Sequence, residues 1–188
     1  MAQTVMRSLR FLGLLLGLFT LPSSSLAHRL DEYLQATLVT IEPGEVRLQI
    51  NLTPGVAVAD QVLSRIDPDH DNEISTNEAT AYVKSLQHDL TLRLDHRNLE
   101  LKLVSSSFSE PAELRTGTGI IQLEFSATIS RLAVGTHRLI LHNRHLPGLS
   151  VYLLNATPPG ANSIQIIRQK RNRTQSTGEI QFGISEVR

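Results

Sequence analysis

The chain contains no cysteine in 188 residues. Neither a disulfide nor a thiolate metal site can form, and a lipid anchor, which needs a cysteine after a leader, is excluded as well. Stability therefore has to come from an apolar core, with a bound metal as the other available source. Tryptophan is also absent, and aromatic residues make up 4% of the chain. That scarcity argues against a sugar-binding module, which relies on exposed rings. Formal net charge is zero; a nucleic-acid binder would carry a basic excess, so that class is set aside. Missing too are a nucleophile elbow, a phosphate-binding glycine loop and a zinc-protease helix, and no enzymatic activity is expected. After residue 27 no apolar run is long enough to cross a bilayer.

What is present begins at the N terminus. Arg7 and Arg10 precede an apolar stretch from Phe11 to Leu21, and Ser25-Leu26-Ala27 places small residues where a signal peptidase requires them. Residues 1–27 resemble a secretory signal peptide, so the expected mature chain is 28–188, exported to the periplasm or secreted. Setting that segment aside removes two arginines and no acids, which leaves a formal charge of −2. His28 would then carry the free amino group, and an amine plus its own imidazole can chelate copper. His137, His142 and His145 are the candidates for a further copper ligand. A copper-binding periplasmic protein is thus one alternative reading; an exposed terminal histidine is the plainer one.

The densest chemistry lies at residues 67–78, Asp-Pro-Asp-His-Asp-Asn-Glu-Ile-Ser-Thr-Asn-Glu, with five carboxylates and no lysine or arginine. Such a run repels itself unless a cation fills it. Asp67, Asp69 and Asp71 stand at positions 1, 3 and 5, and Glu78 at position 12. This segment resembles an EF-hand calcium loop. The resemblance implies Ca²⁺ held by Asp67, Asp69, Asp71, the Glu73 backbone carbonyl, Ser75 through a water, and Glu78 through both oxygens. Ile74 would pin the loop to a core. Position 6, usually glycine, is Asn72. Asparagine is the non-glycine residue best suited to positive φ, and the expected penalty is about 1 kcal/mol. The competing reading is an acidic solvated loop with aspartates at alternate positions.

Both flanks read as helices. Val58, Val62, Leu63 and Ile66 mark an apolar face before the loop, and Thr53-Pro54 reads as the start of that helix. Ser75 and Glu78 make a capping-box pair, after which Ala79, Tyr82, Val83 and Leu86 share one face. No second acidic loop accompanies this hand, so its support must come from elsewhere.

Outside the hand the apolar period is two. It runs through Val46 to Leu52, Leu90 to Leu94, Leu99 to Leu103, Ile121 to Phe125, Leu139 with Leu141, Val151 with Leu153, Ile164 with Ile166, and Ile180 to Ile184. With Tyr33 to Ile41 this makes about nine short strands. The expected fold is mainly β, one Ig-like antiparallel β-sandwich with an EF-hand helix–loop–helix inserted at 54–89, between the second and third strands. Arg168, Lys170, Arg171 and Arg173 read as a solvated hairpin tip. This plan is similar to exported bacterial proteins that carry one EF-hand in a β-rich domain. Through the His28 to Leu38 start it is also similar to the ectodomain of hydrogenase/urease accessory-type membrane proteins, whose membrane bundle is missing here. The implied function is calcium binding with a structural ion. The alternative with a protein partner is a calcium-gated interaction module, although neither helix carries the methionine-rich surface of sensor hands.

Overall fold

The computed structural model describes residues 31–186. The expected signal segment at 1–27 and His28 lie outside them.

Strict alternation fixes the first hairpin. β1 (Tyr33–Glu42) and β2 (Glu45–Pro54) pair antiparallel around Pro43-Gly44, where Gly44 takes φ +91°. Val46, Leu48, Ile50 and Leu52 all point inward and are fully buried, so a slip of one residue would expose the whole set. Next come α1 (Ala59–Ile66) and α2 (Thr76–Asp89), which runs without a loop into β3 (Leu90–Leu94). The chain continues as β4 (Arg97–Leu99), β5 (Lys102–Phe108), α3 (Pro111–Arg115), β6 (Ile121–Thr128) and β7 (Gly135–Asn143). It ends with β8 (Ser150–Ala156), β9 (Ile164–Arg171) and β10 (Thr177–Ile184).

Two five-stranded sheets result, ordered β5-β6-β2-β1-β8 and β4-β3-β7-β10-β9, and their inner faces share one apolar core. The expected mainly β sandwich is what forms, with the helical pair inserted between β2 and β3. One neighbouring pair, β1 with β8, is parallel; the others are antiparallel.

Four details differ from the sequence reading. The Leu99–Leu103 run is two strands in different sheets: Leu101 is buried where the chain crosses, its carbonyl held by Gln87 Nε2 at 2.8 Å, while Leu103 is 43% exposed. In β8 the buried residues are Tyr152 and Leu154 rather than Val151 and Leu153. All four are apolar-bodied, so alternation alone cannot choose the phase; the Tyr152 hydroxyl, which donates to the His145 carbonyl at 2.9 Å, shows which face turns inward. Thr53-Pro54 does not start a helix. Pro54 closes the β1–β2 ladder opposite Tyr33, and α1 begins at Ala59 with no side-chain cap. Finally, the basic cluster is only in part a hairpin tip: Arg168, Lys170 and Arg171 belong to β9, and Arg173 alone sits in the exposed turn to β10. Arg171 donates to the Leu154 carbonyl and to Asn155 Oδ1, and Gln169 Oε1 accepts from the Ala156 amide. These side chains occupy the free edge of β8, one way of blocking strand addition there.

The sandwich end opposite the helical pair carries an ion pair with a readable pH signature. His137 Nδ1 lies 2.9 Å from Asp95 Oδ2 and Nε2 lies 2.8 Å from the Ala133 carbonyl. Only the imidazolium can donate to both. Burial pushes the His137 pKa down, but the bonds to Asp95 and Ala133 outweigh it and leave it raised. Asp95 is raised by burial and lowered further by His137 and the Arg138 amide, for a net lowering. His137 thus adds stability that is complete below its ordinary value of 6.5 and is lost as pH climbs through the raised value. Asp95 adds stability present above 3.8 and lost as pH falls through its lowered value. Melting curves of the chain and of His137→Gln are expected to differ most below pH 6.5 and to converge as pH rises through the raised His137 value. A gap that stays constant across that range would rule out the ion pair as its source.

Candidate metal site

The loop is shaped by its own carboxylates. At the end of α1 the Asp67 amide closes on the Leu63 carbonyl at 2.8 Å, which turns Asp67 inward to 4% exposure. Asp67 Oδ2 accepts the Asn72 amide at 3.1 Å, Asp69 Oδ1 the Asp71 amide at 3.3 Å, and Asp71 Oδ1 the Glu73 amide at 2.8 Å. These Asx-type turns curl the chain around its acids. His70 and Asn72 take φ of 61° and 64°, so position 6 has the left-handed backbone expected of it. Ile74 packs against the core, also as expected.

One carboxylate oxygen from each of Asp67, Asp69 and Asp71 lies within 4.8 Å of the others. Ligands of one Ca²⁺ at 2.3–2.6 Å stand at most about 5 Å apart, so the spacing fits a shared ion. Glu78 is not part of that trio. Its Oε2 accepts from the Ser75 amide at 2.9 Å and the Ser75 hydroxyl at 2.8 Å, and Ser75 Oγ caps the Glu78 amide at 3.3 Å. The predicted capping box is therefore formed. Glu73 and Ser75 are exposed. Crowding is visible in the acids. The Asp71 amide lowers the Asp69 pKa, but Asp67, burial and the charges of Asp71 and Glu78 leave it raised. Asp67 is pushed up by burial, yet hydrogen bonds, the Asn72 amide foremost, hold it below its ordinary value.

Two oxygens carry the argument for a cation. Among the described residues, Asp67 Oδ1 and Glu78 Oε1 are buried and have no hydrogen-bond partner. A buried carboxylate oxygen without a partner loses hydration with nothing in return, typically a few kcal/mol. A cation held among the aspartates would satisfy Asp67 Oδ1, and one that also drew in Glu78 would satisfy Oε1. The donor set, all hard oxygen, suits Ca²⁺ rather than a soft metal.

Arg115, at the end of α3, is a site neighbour that sequence reasoning missed. Its Nη2 donates to Asn72 Oδ1 at 3.3 Å and its Nε to Asp60 Oδ1 at 3.0 Å, so it ties the loop to α1. Pro111 at the first helical position was the one available sign of α3. Nothing in the sequence pointed from residue 115 to residue 72.

The described histidines named for copper are each engaged within the fold, and His28, the anchor of that reading, lies outside the described residues. His137 is occupied at the far end, His142 Nδ1 meets the Thr177 hydroxyl at 2.8 Å, and His145 is 2% exposed with both ring nitrogens engaged. A cavity of about 790 Å³ opens at the end away from the loop, lined by Ile41, Ile129, Phe182 and Ile184 among others, and shares no residue with the acidic segment. No helix among the described residues is long and apolar enough to cross a membrane. No family model matches the chain, and a search of curated proteins finds no match.

Proposed function

We propose that this chain is an exported calcium-binding protein whose single EF-hand loop holds Ca²⁺ as a structural ion. The observation that carries the reading is the pair of buried, unpartnered oxygens, Asp67 Oδ1 and Glu78 Oε1, in a loop whose three aspartates already crowd within 4.8 Å. The ligands are Asp67, Asp69, Asp71, the Glu73 carbonyl, Ser75 through water, and Glu78. Bidentate binding by Glu78 requires Oε2 to leave Ser75 or to be shared with it. With Asn72 at position 6 and no partner hand, the affinity belongs to the extracellular range, on the order of 10⁻⁴–10⁻³ M. Outside the cytoplasm that suffices for occupancy, and the bound ion adds to folding stability by mass action.

A structural role is favoured over a gated interaction surface because the hand is tied down at its loop and at its C-terminal end. Asn72 is bonded to Arg115, and α2 passes directly into β3. Isothermal titration of the metal-stripped chain with Ca²⁺, repeated with Mg²⁺, tests the assignment. One-to-one binding of Ca²⁺ with little heat from Mg²⁺ is the expected result. No heat up to ~10 mM Ca²⁺, beyond the range of extracellular modules, would sink it.

A further inference from the structure

Glu78, Tyr82 and Asp89 lie on one face of α2, four and eleven residues apart, within about 40° of each other around a 3.6-residue turn. Glu78 is the proposed ligand. The other two are held by one histidine. His145 Nδ1 lies 2.8 Å from Asp89 Oδ2, and His145 Nε2 lies 3.1 Å from the Tyr82 hydroxyl. Tyr82 in turn meets the Tyr33 hydroxyl of β1 at 2.5 Å. Tyr33, Tyr82 and His145 are 0, 2 and 2% exposed.

The directions of these bonds can be worked out. A carboxylate only accepts, so His145 Nδ1 carries the proton towards Asp89. With the ring neutral, Nε2 accepts from Tyr82, and Tyr82 accepts from Tyr33. This arrangement requires a neutral imidazole. Burial, the largest influence on His145, favours that form and outweighs Asp89, leaving its pKa lowered. Both phenols are pushed up by burial and stay protonated.

The histidine itself is fixed from every side. Its amide donates to Asn143 Oδ1 at 2.9 Å, and its carbonyl accepts from Gln35 Nε2 at 2.8 Å, Tyr152 OH at 2.9 Å and Ser150 Oγ at 3.2 Å. Gln35 also accepts from Asn143 Nδ2 at 2.9 Å, which joins β1 to the end of β7. The Arg144 amide adds a bond to the Asp89 carbonyl at 3.0 Å. A rigid segment of the sandwich therefore grips α2 at two points two turns apart, on the face that carries Glu78.

We infer that Tyr82, His145 and Asp89 are positioning residues for the calcium ligand Glu78, holding α2 where Glu78 can close on an ion bound by the aspartate trio. The inference rests on the calcium reading. In a paired EF-hand the second hand braces the first; here a buried Asp–His–Tyr–Tyr chain takes that part. A metal that needs Glu78 in this orientation and a clamp that fixes it reinforce one another, and the coupling is reciprocal.

Calcium titration and thermal melting of the full chain, Tyr82→Phe and Asp89→Asn at pH 7.5 separate this from a merely structural role. Tyr82→Phe removes one oxygen and keeps the ring against Phe108. Asp89→Asn keeps the shape at a site 31% exposed, so it stays informative if the tyrosine variant does not fold. Calcium Kd is expected to rise about tenfold in each, the lower end of what supporting groups contribute to metal sites. Each variant should also lose more melting temperature in Ca²⁺ than in EDTA. An equal loss in both, with unchanged Kd, overturns the clamp and leaves the calcium assignment intact. No calcium binding by the unaltered chain overturns both.

Discussion

In ~10 mM Ca²⁺ the melting temperature is expected to lie about 3–10 °C above its value in EDTA, and Glu78→Gln is expected to erase that rise. The size follows from mass action. At 10–100 times the proposed dissociation constant, a ligand that binds only the native state adds about 1.4–2.7 kcal/mol. For a folded region of this length each kcal/mol moves the midpoint by about 2–4 °C. Glutamine is chosen because it isolates the metal. It is accepted at the third helical position of a capping box, so the Ser75 cap on α2 survives. It also removes one of the five loop carboxylates, so the variant in EDTA should melt within a degree or two of the unaltered chain. Any large difference must then come from the lost ligand. A calcium-induced rise that persists undiminished in Glu78→Gln would place the ion elsewhere or show that position 12 does not ligate.

How much of this molecule could be read from its residues depends on the range of the interactions. The calcium-loop candidate was legible because its determinants are local: aspartates at alternate positions, Asn72 at the turn, Ser75 capping its own helix three residues before Glu78. Hairpins such as β1–β2 were legible for the same reason, since alternation and Pro43-Gly44 lie within twenty residues of each other. The failures involve residues far apart in the chain. Arg115 reaches Asn72 across 43 positions, and His145 reaches Asp89 and Tyr82 across 56 and 63. No periodicity encodes such pairings. His145 was visible only as a copper candidate, because a histidine in a sequence carries no sign of whether its nitrogens face solvent, metal or a buried tyrosine. Leu99-Glu100-Leu101-Lys102-Leu103 kept perfect alternation while the chain changed sheets. Periodicity reports that one face is covered, not which layer covers it.

Gly119→Ala should be the most damaging single-methyl change near the hand. A Cβ there would lie 2.7 Å from the Leu114 amide nitrogen, 2.8 Å from the Glu113 carbonyl carbon and 2.9 Å from Ser109 Cβ. Two of these are backbone atoms and cannot swing aside as a side-chain tip can. The site is pinched on both sides. The Gly119 amide bonds to the Glu113 carbonyl at 2.9 Å, and Ser109 and Ile120 bond across the neck of the α3 excursion at 3.0–3.1 Å. Relief therefore means moving α3, and α3 carries Leu114, fully buried, and Arg115. Overpacking of this kind costs about 1–3 kcal/mol, or about 3–10 °C in melting temperature at this size. Gly117→Ala is the control. Gly117 has φ +72° but no atom closer than 3.5 Å to its added carbon, so the methyl meets only the left-handed backbone penalty of about 1 kcal/mol. Gly119→Ala should be the less stable of the two, and it should also bind calcium more weakly, because displacing Arg115 frees Asn72 and Asp60. Equal melting points for the two variants would contradict the steric argument. Lower stability with unaltered calcium affinity would show that the Arg115 bonds do not hold the loop, leaving the grip of His145 on α2 as its principal brace.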